Sequence, residues 1–316
     1  MHKSKGPFRL LSYLLLICSI IAACAITIGC SNPEHPLEVD LSKRSALPPI
    51  KEEQAITYAY LPQYSHIISY ARHNALIDYL QRSTGLEIKQ VFPKSFDEHI
   101  RMVRLGEIDI SFSNPIVYLQ VAETGAKAFA RIVESNGLPD FRGQIISRAD
   151  NSKINSLRDC IGKKWIAVDP SSAGGYIFPL GLFAEHGILP SDFTEISFAS
   201  GSGAQQEKVV HAVYSGLYDI GTIREGTLNV MRSDIDINTI KVLAHTPAYP
   251  SWVYAARKGL NPQVVKKIAN AMFALDKTSP ETASILYHAK ISGIIPATDK
   301  DYNPVRELMK RLGGEL

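Results

Sequence analysis

The chain is predicted to be an α/β protein of two lobes, each built on a mixed, mostly parallel sheet with flanking helices. Three observations lead there. Short apolar strands alternate with helix-length segments, the pattern of right-handed βαβ units. The stretch Leu105-Gly106-Glu107-Ile108-Asp109-Ile110 has a counterpart in Ser215-Gly216-Leu217-Tyr218-Asp219-Ile220. Each reads as a helix, a glycine stop, two residues and an Asp-led strand, which implies two similar halves. After about residue 245 the pattern turns helical, as if the chain returned to its first half. The chain would then cross between lobes near 145–150 and again near 243–250, and two crossovers make a hinge.

In order, residues 1–29 read as an export signal. Lys3, Lys5 and Arg9 precede an apolar run from Leu10 to Gly29, and polar residues follow at once. Ile21-Ala22-Ala23-Cys24 and Thr27-Ile28-Gly29-Cys30 both resemble the lipobox of bacterial lipoproteins. Cys30 is favoured as the lipidated residue because it sits at the polar boundary; Cys24 is the alternative, and an uncleaved membrane helix is a third reading. Residues 30–54, with prolines, charges and no period, form a tether. The expected body is 55–147 with 246–316 as one lobe and 148–245 as the other.

Ala55 to Tyr60 is a strand ending at Pro62. Ile68, Leu76, Tyr79 and Leu80 mark a helix stopped by Gly85, and Glu87 to Phe92 is a second strand. Ser95-Phe96-Asp97-Glu98 has capping-box spacing for a helix ending at Gly106. The strand Ile108 to Phe112 leads to Asn114-Pro115, which caps a helix running to Gly125. The pattern then recurs: strand Lys164 to Val168, helix Gly175 to His186, strand Thr194 to Phe198. A helix capped within Ser202-Gly203-Ala204-Gln205 ends at Gly216, and Asp219 to Ile223 is the next strand. Asn261-Pro262 and Ser279-Pro280 open two later helices.

Charge and cysteine narrow the function. The formal charge is +3, from 34 Lys and Arg against 31 Asp and Glu. Lys3, Lys5 and Arg9 supply the whole excess, so the body is neutral and lacks the basic patch that nucleic acid requires. Only Cys160 of the four cysteines lies in the body, which allows neither a disulfide framework nor a metal set. No HExxH, GxSxG, P-loop or GxGxxG pattern occurs. The histidines lack ligand spacing, and Asp109 and Asp219 read as structural. Nothing nominates an enzyme, a cofactor or a metal.

In open α/β sheets ligands sit beyond the carboxyl ends of strands. Three such junctions are rich in small polar residues: Ser113-Asn114-Pro115, Ser171-Ser172-Ala173-Gly174-Gly175 and Ser200-Gly201-Ser202-Gly203. Free N–H groups of a first helical turn carry partial positive charge, and glycine lets backbone approach closely. Singly, each junction is an ordinary helix cap; recurring in both halves, they suit a small oxyanion. Arg224, at the end of its strand, reads as a bidentate clamp on that anion or as half of a surface or hinge ion pair. Tyr64, Tyr118, Tyr176 and Trp252 are cleft candidates that could equally be core.

These residues bring the chain close to a known family. Phe141 to Asp150, Asn155 to Asp159, Gly162-Lys163-Lys164 and Val168-Asp169-Pro170-Ser171-Ser172-Ala173-Gly174-Gly175-Tyr176 resemble the phosphate/phosphite/phosphonate-binding proteins of ABC importers. The similarity covers roughly residues 55–295. It implies the type II periplasmic-binding-protein fold, a small anionic solute between the lobes, and a membrane permease as partner. A sensor kinase as partner, or an enzyme on the same scaffold, is the alternative. The protein would be exported and lipid-anchored, periplasmic or on the outer face of the membrane. The family's Ser-Thr-Ser-Gly loop is here Ser172-Ala173-Gly174-Gly175, its tyrosines are replaced by Phe96 and Ser113, and its histidine aligns with Gln206. With the junction residues and Arg224, the candidate ligand-binding set is Ser113, Asn114, Tyr118, Ser171, Ser172, Ala173, Gly174, Gly175, Ser202, Gln206 and Arg224.

Overall fold

The computed structural model describes residues 55–313, so the export segment, the tether and both candidate lipid cysteines lie outside the described residues. The first elements are β1 (Ile56–Tyr60), α1 (His66–Thr84), β2 (Ile88–Gln90), α2 (Phe96–Leu105), β3 (Ile110–Ser113), α3 (Pro115–Ala122), β4 (Lys127–Glu134) and β5 (Asp140–Phe141). There follow β6 (Gly143–Arg148), β7 (Lys164–Ala167), α4 (Phe178–Glu185), β8 (Glu195–Phe198), α5 (Gln205–Tyr214), β9 (Ile220–Arg224), α6 (Thr227–Val230) and β10 (Ile240–His245). Last come β11 (Tyr249–Pro250), β12 (Val253–Ala256), α7 (Pro262–Phe273), α8 (Pro280–Ala289), β13 (Ile291–Pro296) and α9 (Asn303–Arg311).

The helix starts follow capping chemistry. Ser95 Oγ accepts from the Glu98 N–H at 3.1 Å, and Asn114 Oδ1 accepts from Ile116 and Val117 with Pro115 at the first helical position. Asn261 and Ser279 cap α7 and α8 in the same way, each followed by proline. Ser202 does not cap α5. Gly201, Gly203 and Ala204 all adopt positive φ, and the loop they shape leaves Ser202 exposed; Ala204 holds the cap position with no side-chain bond.

The sheets explain the internal repeat. Asp109 donates its N–H to the Thr57 carbonyl, and its carboxylate accepts the Thr57 N–H at 2.8 Å. Asp219 does the same with Lys164, accepting its N–H at 2.9 Å. Each Asp thus locks a strand beside its parallel neighbour, three residues after a left-handed glycine, Gly106 or Gly216. The carboxylates are structural pins rather than a catalytic dyad.

One sheet has the order β13-β4-β12-β3-β1-β2, the other β10-β6-β9-β7-β8. Parallel pairing is confined to β2-β1-β3 and to β8-β7-β9; the remaining pairs are antiparallel. The antiparallel share exceeds the expectation because strands that carry the chain out of a sheet and back run against those fed by helical crossovers. The chain changes sheets between Glu134 and Gly143 and again between His245 and Val253. The two connections pair with each other, Tyr249 opposite Phe141 and Pro250 opposite Asp140. That short ladder is the hinge.

One apolar core runs through both lobes. A second gathers in the five-stranded lobe around Trp165, whose ring meets Phe183 at 5.2 Å and Phe193 at 5.0 Å. Cys160 is buried there, and burial pushes its thiol up to about 12, so it is a packed side chain rather than a reactive one. Among the described residues no helix is long and apolar enough to cross a membrane.

Candidate ligand site

The lobes are closed on one another. Ser65 N–H, at the start of α1, donates to Glu207 Oε1 at the start of α5 (2.8 Å), and Gln206 N–H donates to the Gln63 carbonyl (3.1 Å). Asn114 Nδ2 donates to the Ser171 carbonyl at 3.1 Å and Gln120 Nε2 to Ser171 Oγ at 3.2 Å. Tyr64 and Thr227 hydroxyls meet at 3.3 Å. Two of the junctions singled out in the sequence, Ser113-Asn114-Pro115 and Ser171 to Gly175, therefore meet across the gap.

These contacts decide what the predicted residues do here. Ser113, Asn114 and Ser171 come together where the lobes meet, and the Ser113 hydroxyl is buried without a partner. Ser172 Oγ is used locally, accepting from Gly175 N–H at 3.2 Å. Ala173, Gly174 and Gly175 are buried, and a single wide turn, Ala173–Ile177, carries the chain into α4. Gly174 is required by close approach: a β-carbon there would lie 2.9 Å from the Phe141 ring and 3.1 Å from Arg224 Cβ. Gln206 is a brace, its Oε1 accepting from the Arg224 N–H (3.0 Å) and the Thr227 hydroxyl (3.1 Å).

Tyr118 and Ser202 are not brought to the gap. Tyr118 is core, its hydroxyl donating to Asp299 at 2.8 Å and accepting from the Ala128 N–H, because α3 turns that face toward α9 rather than the cleft. Ser202 points outward for the reason given above. Of the aromatic candidates, Tyr64 and Trp252 line the gap, whereas Tyr176 packs on Trp165 and Phe198.

Arg224 projects from the end of β9 toward Glu134, at the end of β4 in the other lobe. Its Nη2 donates to both carboxylate oxygens, at 2.9 and 3.0 Å. It thus realises the hinge-pair reading while also lining the gap. Burial works against the Arg224 charge, but the Glu134 carboxylate outweighs it and the guanidinium pKa lies above its ordinary value. Ser251 also donates to Glu134 Oε1.

Around this pair lies a partly enclosed cavity of about 40 Å³. A cavity of roughly 10–15 Å³ holds one water, so the space suits a small solute. Gln63, Tyr64, Arg72, Glu134, Arg224 and Trp252 supply its polar surface, with Leu61, Phe112, Ile132 and Tyr254 among the rest. Three buried polar atoms of these residues have no partner: Arg224 Nε, Trp252 Nε1 and Gln63 Oε1. Arg72 lies with its guanidinium carbon 4.5 Å over the Tyr64 ring and has no carboxylate partner among the described residues. His73, on the same wall, is neutral, since burial lowers its pKa to about 3. Two larger grooves, of about 460 and 490 Å³, are open to solvent, one beside Lys127 and Arg306, the other beside Lys277 and Tyr287.

Gln63, Arg72, Glu134 and Glu207 were missed in the sequence. One signal was available for Arg72: Ser65, Ser69 and Arg72 repeat at helical spacing and make a polar stripe on α1 leading away from its N-terminus. Glu134 carries no local signal.

Two lobes joined by a two-strand hinge and closed over a small polar cavity define a solute-binding protein. The family model described as "ABC transporter, phosphonate, periplasmic substrate-binding protein" matches residues 58–302, and the chain belongs to that family. It is 27% identical over 281 residues to the phosphate-import protein PhnD of Mycolicibacterium smegmatis, covering 83% of this chain and 87% of that protein. Its fold matches PhnD1 of Prochlorococcus marinus in complex with methylphosphonate, with a TM-score of 0.74, 15% identity, and coverage of 82% and 98% of the two chains. It also matches a binding-protein component of an ABC phosphonate transporter from Pseudomonas aeruginosa, with a TM-score of 0.72, 21% identity, and coverage of 80% and 85%. The protein is the exported, solute-binding component of an ABC importer, and its partner is the membrane permease.

Proposed function

We propose that the chain captures a small oxyanion of the phosphonate or phosphate class in the cavity ringed by Gln63, Arg72, Arg224 and Trp252, and presents it to the permease with the lobes closed. The observation that carries this is the pair of buried donors without partners, Arg224 Nε and Trp252 Nε1, beside an arginine with no carboxylate partner. An unmade buried hydrogen bond costs about 1–3 kcal/mol, so a solute that supplies acceptor oxygens favours the closed form. The chain works by binding, without turnover. The protein is held at the membrane by a lipid on Cys30 or Cys24, and intact mass of membrane-extracted protein tests this: unmodified cysteines on a cleaved chain would contradict it.

The test of binding is a thermal-shift titration with phosphate, phosphite and methylphosphonate. At 100 times the dissociation constant, a true ligand stabilises the folded state by about 2.7 kcal/mol and raises the midpoint. Arg72→Ala is expected to weaken that ligand at least tenfold, about 1.4 kcal/mol. Arg72 is the cleaner probe because, unlike Arg224, it makes no ion pair within 4 Å to a carboxylate among the described residues. A midpoint that none of the three anions moves would overturn the reading.

A further inference from the structure

The cavity does not present donors alone. Glu134 Oε1 is filled by Arg224 and Ser251, but Oε2 accepts a single bond, from Arg224 at 3.0 Å. A carboxylate oxygen has room for a second. Gln63 Oε1 is a further buried acceptor with no partner. The lining of this space thus combines the Arg72 and Arg224 guanidiniums and the Trp252 indole with the Glu134 carboxylate. A fully deprotonated anion would set oxygen lone pairs against Glu134, a like-charge contact that weakens binding.

We propose that Glu134 is the specificity-determining residue of the cavity, and that it selects an oxyanion carrying its own O–H donor, such as hydrogenphosphate or an alkylphosphonate monoanion, over sulfate and sulfonates. The ligand's O–H donates to Glu134 Oε2 while its remaining oxygens accept from Arg224, Arg72 and Trp252. Sulfate has the size and shape of phosphate but brings no proton at neutral pH. A site built to bond a hydroxyl rejects the analogue lacking it by orders of magnitude, because its own polar group is then left unpaired. This inference rests on the anion reading above.

The charged and titratable groups that line the cavity with Glu134 are Arg224 from β9, Arg72 and His73 from α1, Lys290 from the end of α8, and Tyr64 and Tyr254. Lys290 leans away, its ammonium 4.3 Å over the Tyr287 ring. His73 stays neutral across the working range, so a pH effect on binding between pH 6 and 9 reports the ligand's proton.

The experiment compares phosphate, methylphosphonate and sulfate by calorimetry on the full protein. The expected result is at least 100-fold weaker binding of sulfate, with affinity for methylphosphonate falling about tenfold per pH unit above its second ionisation. Glu134→Gln keeps the shape and offers an amide donor, so it should narrow the phosphate-to-sulfate ratio to within tenfold. Should that variant fail to fold, the pH series on the unaltered protein carries the test. Equal binding of phosphate and sulfate, or methylphosphonate affinity that is flat or rises with pH, would overturn the role of Glu134 while leaving the anion site intact. Absence of binding by any oxyanion would overturn the site and the Glu134 assignment together.

Discussion

Replacing Arg224 by alanine is expected to destabilise the folded protein by about 3–5 kcal/mol, apart from any effect on ligand. The side chains of Arg224 and Glu134 are only 10% and 14% exposed, and they join the two lobes at 2.9 Å. Removing the guanidinium leaves a carboxylate in a nearly dry site, where its only other side-chain donor among the described residues is the Ser251 hydroxyl. The cost comes from the abandoned charge rather than from the attraction that was lost. Accordingly, Arg224→Leu combined with Glu134→Leu should recover most of the loss, since an apolar pair of similar volume is often neutral or better. Urea denaturation at neutral pH reads both variants. A loss below about 1 kcal/mol for the single variant would mean that water reaches Glu134 when the arginine is gone.

Acid is expected to destabilise the protein steeply through two histidines. His73 and His99 are buried, and burial lowers both to about 3 from the ordinary 6.5. His73 Nδ1 meets the Tyr58 hydroxyl at 2.7 Å and His99 Nε2 the Ser111 hydroxyl at 2.6 Å, so each ring serves as a neutral hydrogen-bonding wedge. A depressed folded pKa means that the unfolded chain takes up the proton first. The stability they contribute is complete above pH 6.5 and is lost as pH falls toward 3, at about 1.4 kcal/mol per pH unit for each ring. Asp169 acts in the opposite sense. Burial raises its carboxyl to about 6, so it favours the folded state increasingly as pH falls from 6 toward 4. The clean measurement is therefore a difference: His99→Gln, which retains a partner for Ser111, should reduce the pH slope by about 1.4 kcal/mol per unit between pH 4.5 and 6. An unchanged slope would show that His99 is protonated in the folded protein.

Much of the architecture was legible because it is written in local chemistry. Ser95, Asn114, Asn261 and Ser279 announce helix starts by side-chain capping. The repeat around Asp109 and Asp219 announces two lobes because both carboxylates pin a strand to its neighbour in the same way. The antiparallel strands β4, β12 and β13 were not foreseen. Val253–Ala256 is buried at every position, and Lys127–Glu134 mixes half-buried residues with small alanines, so neither shows an alternating period. The loop 201–204 misled for a different reason: left-handed φ at Ala204, which sequence does not reveal, turned Ser202 away. In the site, the glycine turn and Arg224 could be read because glycine and strand-end arginine are unusual locally. Glu134 could not, since it lies 90 residues from Arg224 and only the fold joins them.

The donors without partners in the cavity are proposed to receive a small oxyanion. The most direct measurement is a crystal structure of the protein grown with methylphosphonate. Tetrahedral density is expected between Arg72, Arg224 and Trp252, within hydrogen-bonding distance of Arg224 Nε and Trp252 Nε1, with one oxygen facing Glu134. An anion found instead in an outer groove, or a cavity still closed on itself at saturating ligand, would contradict it.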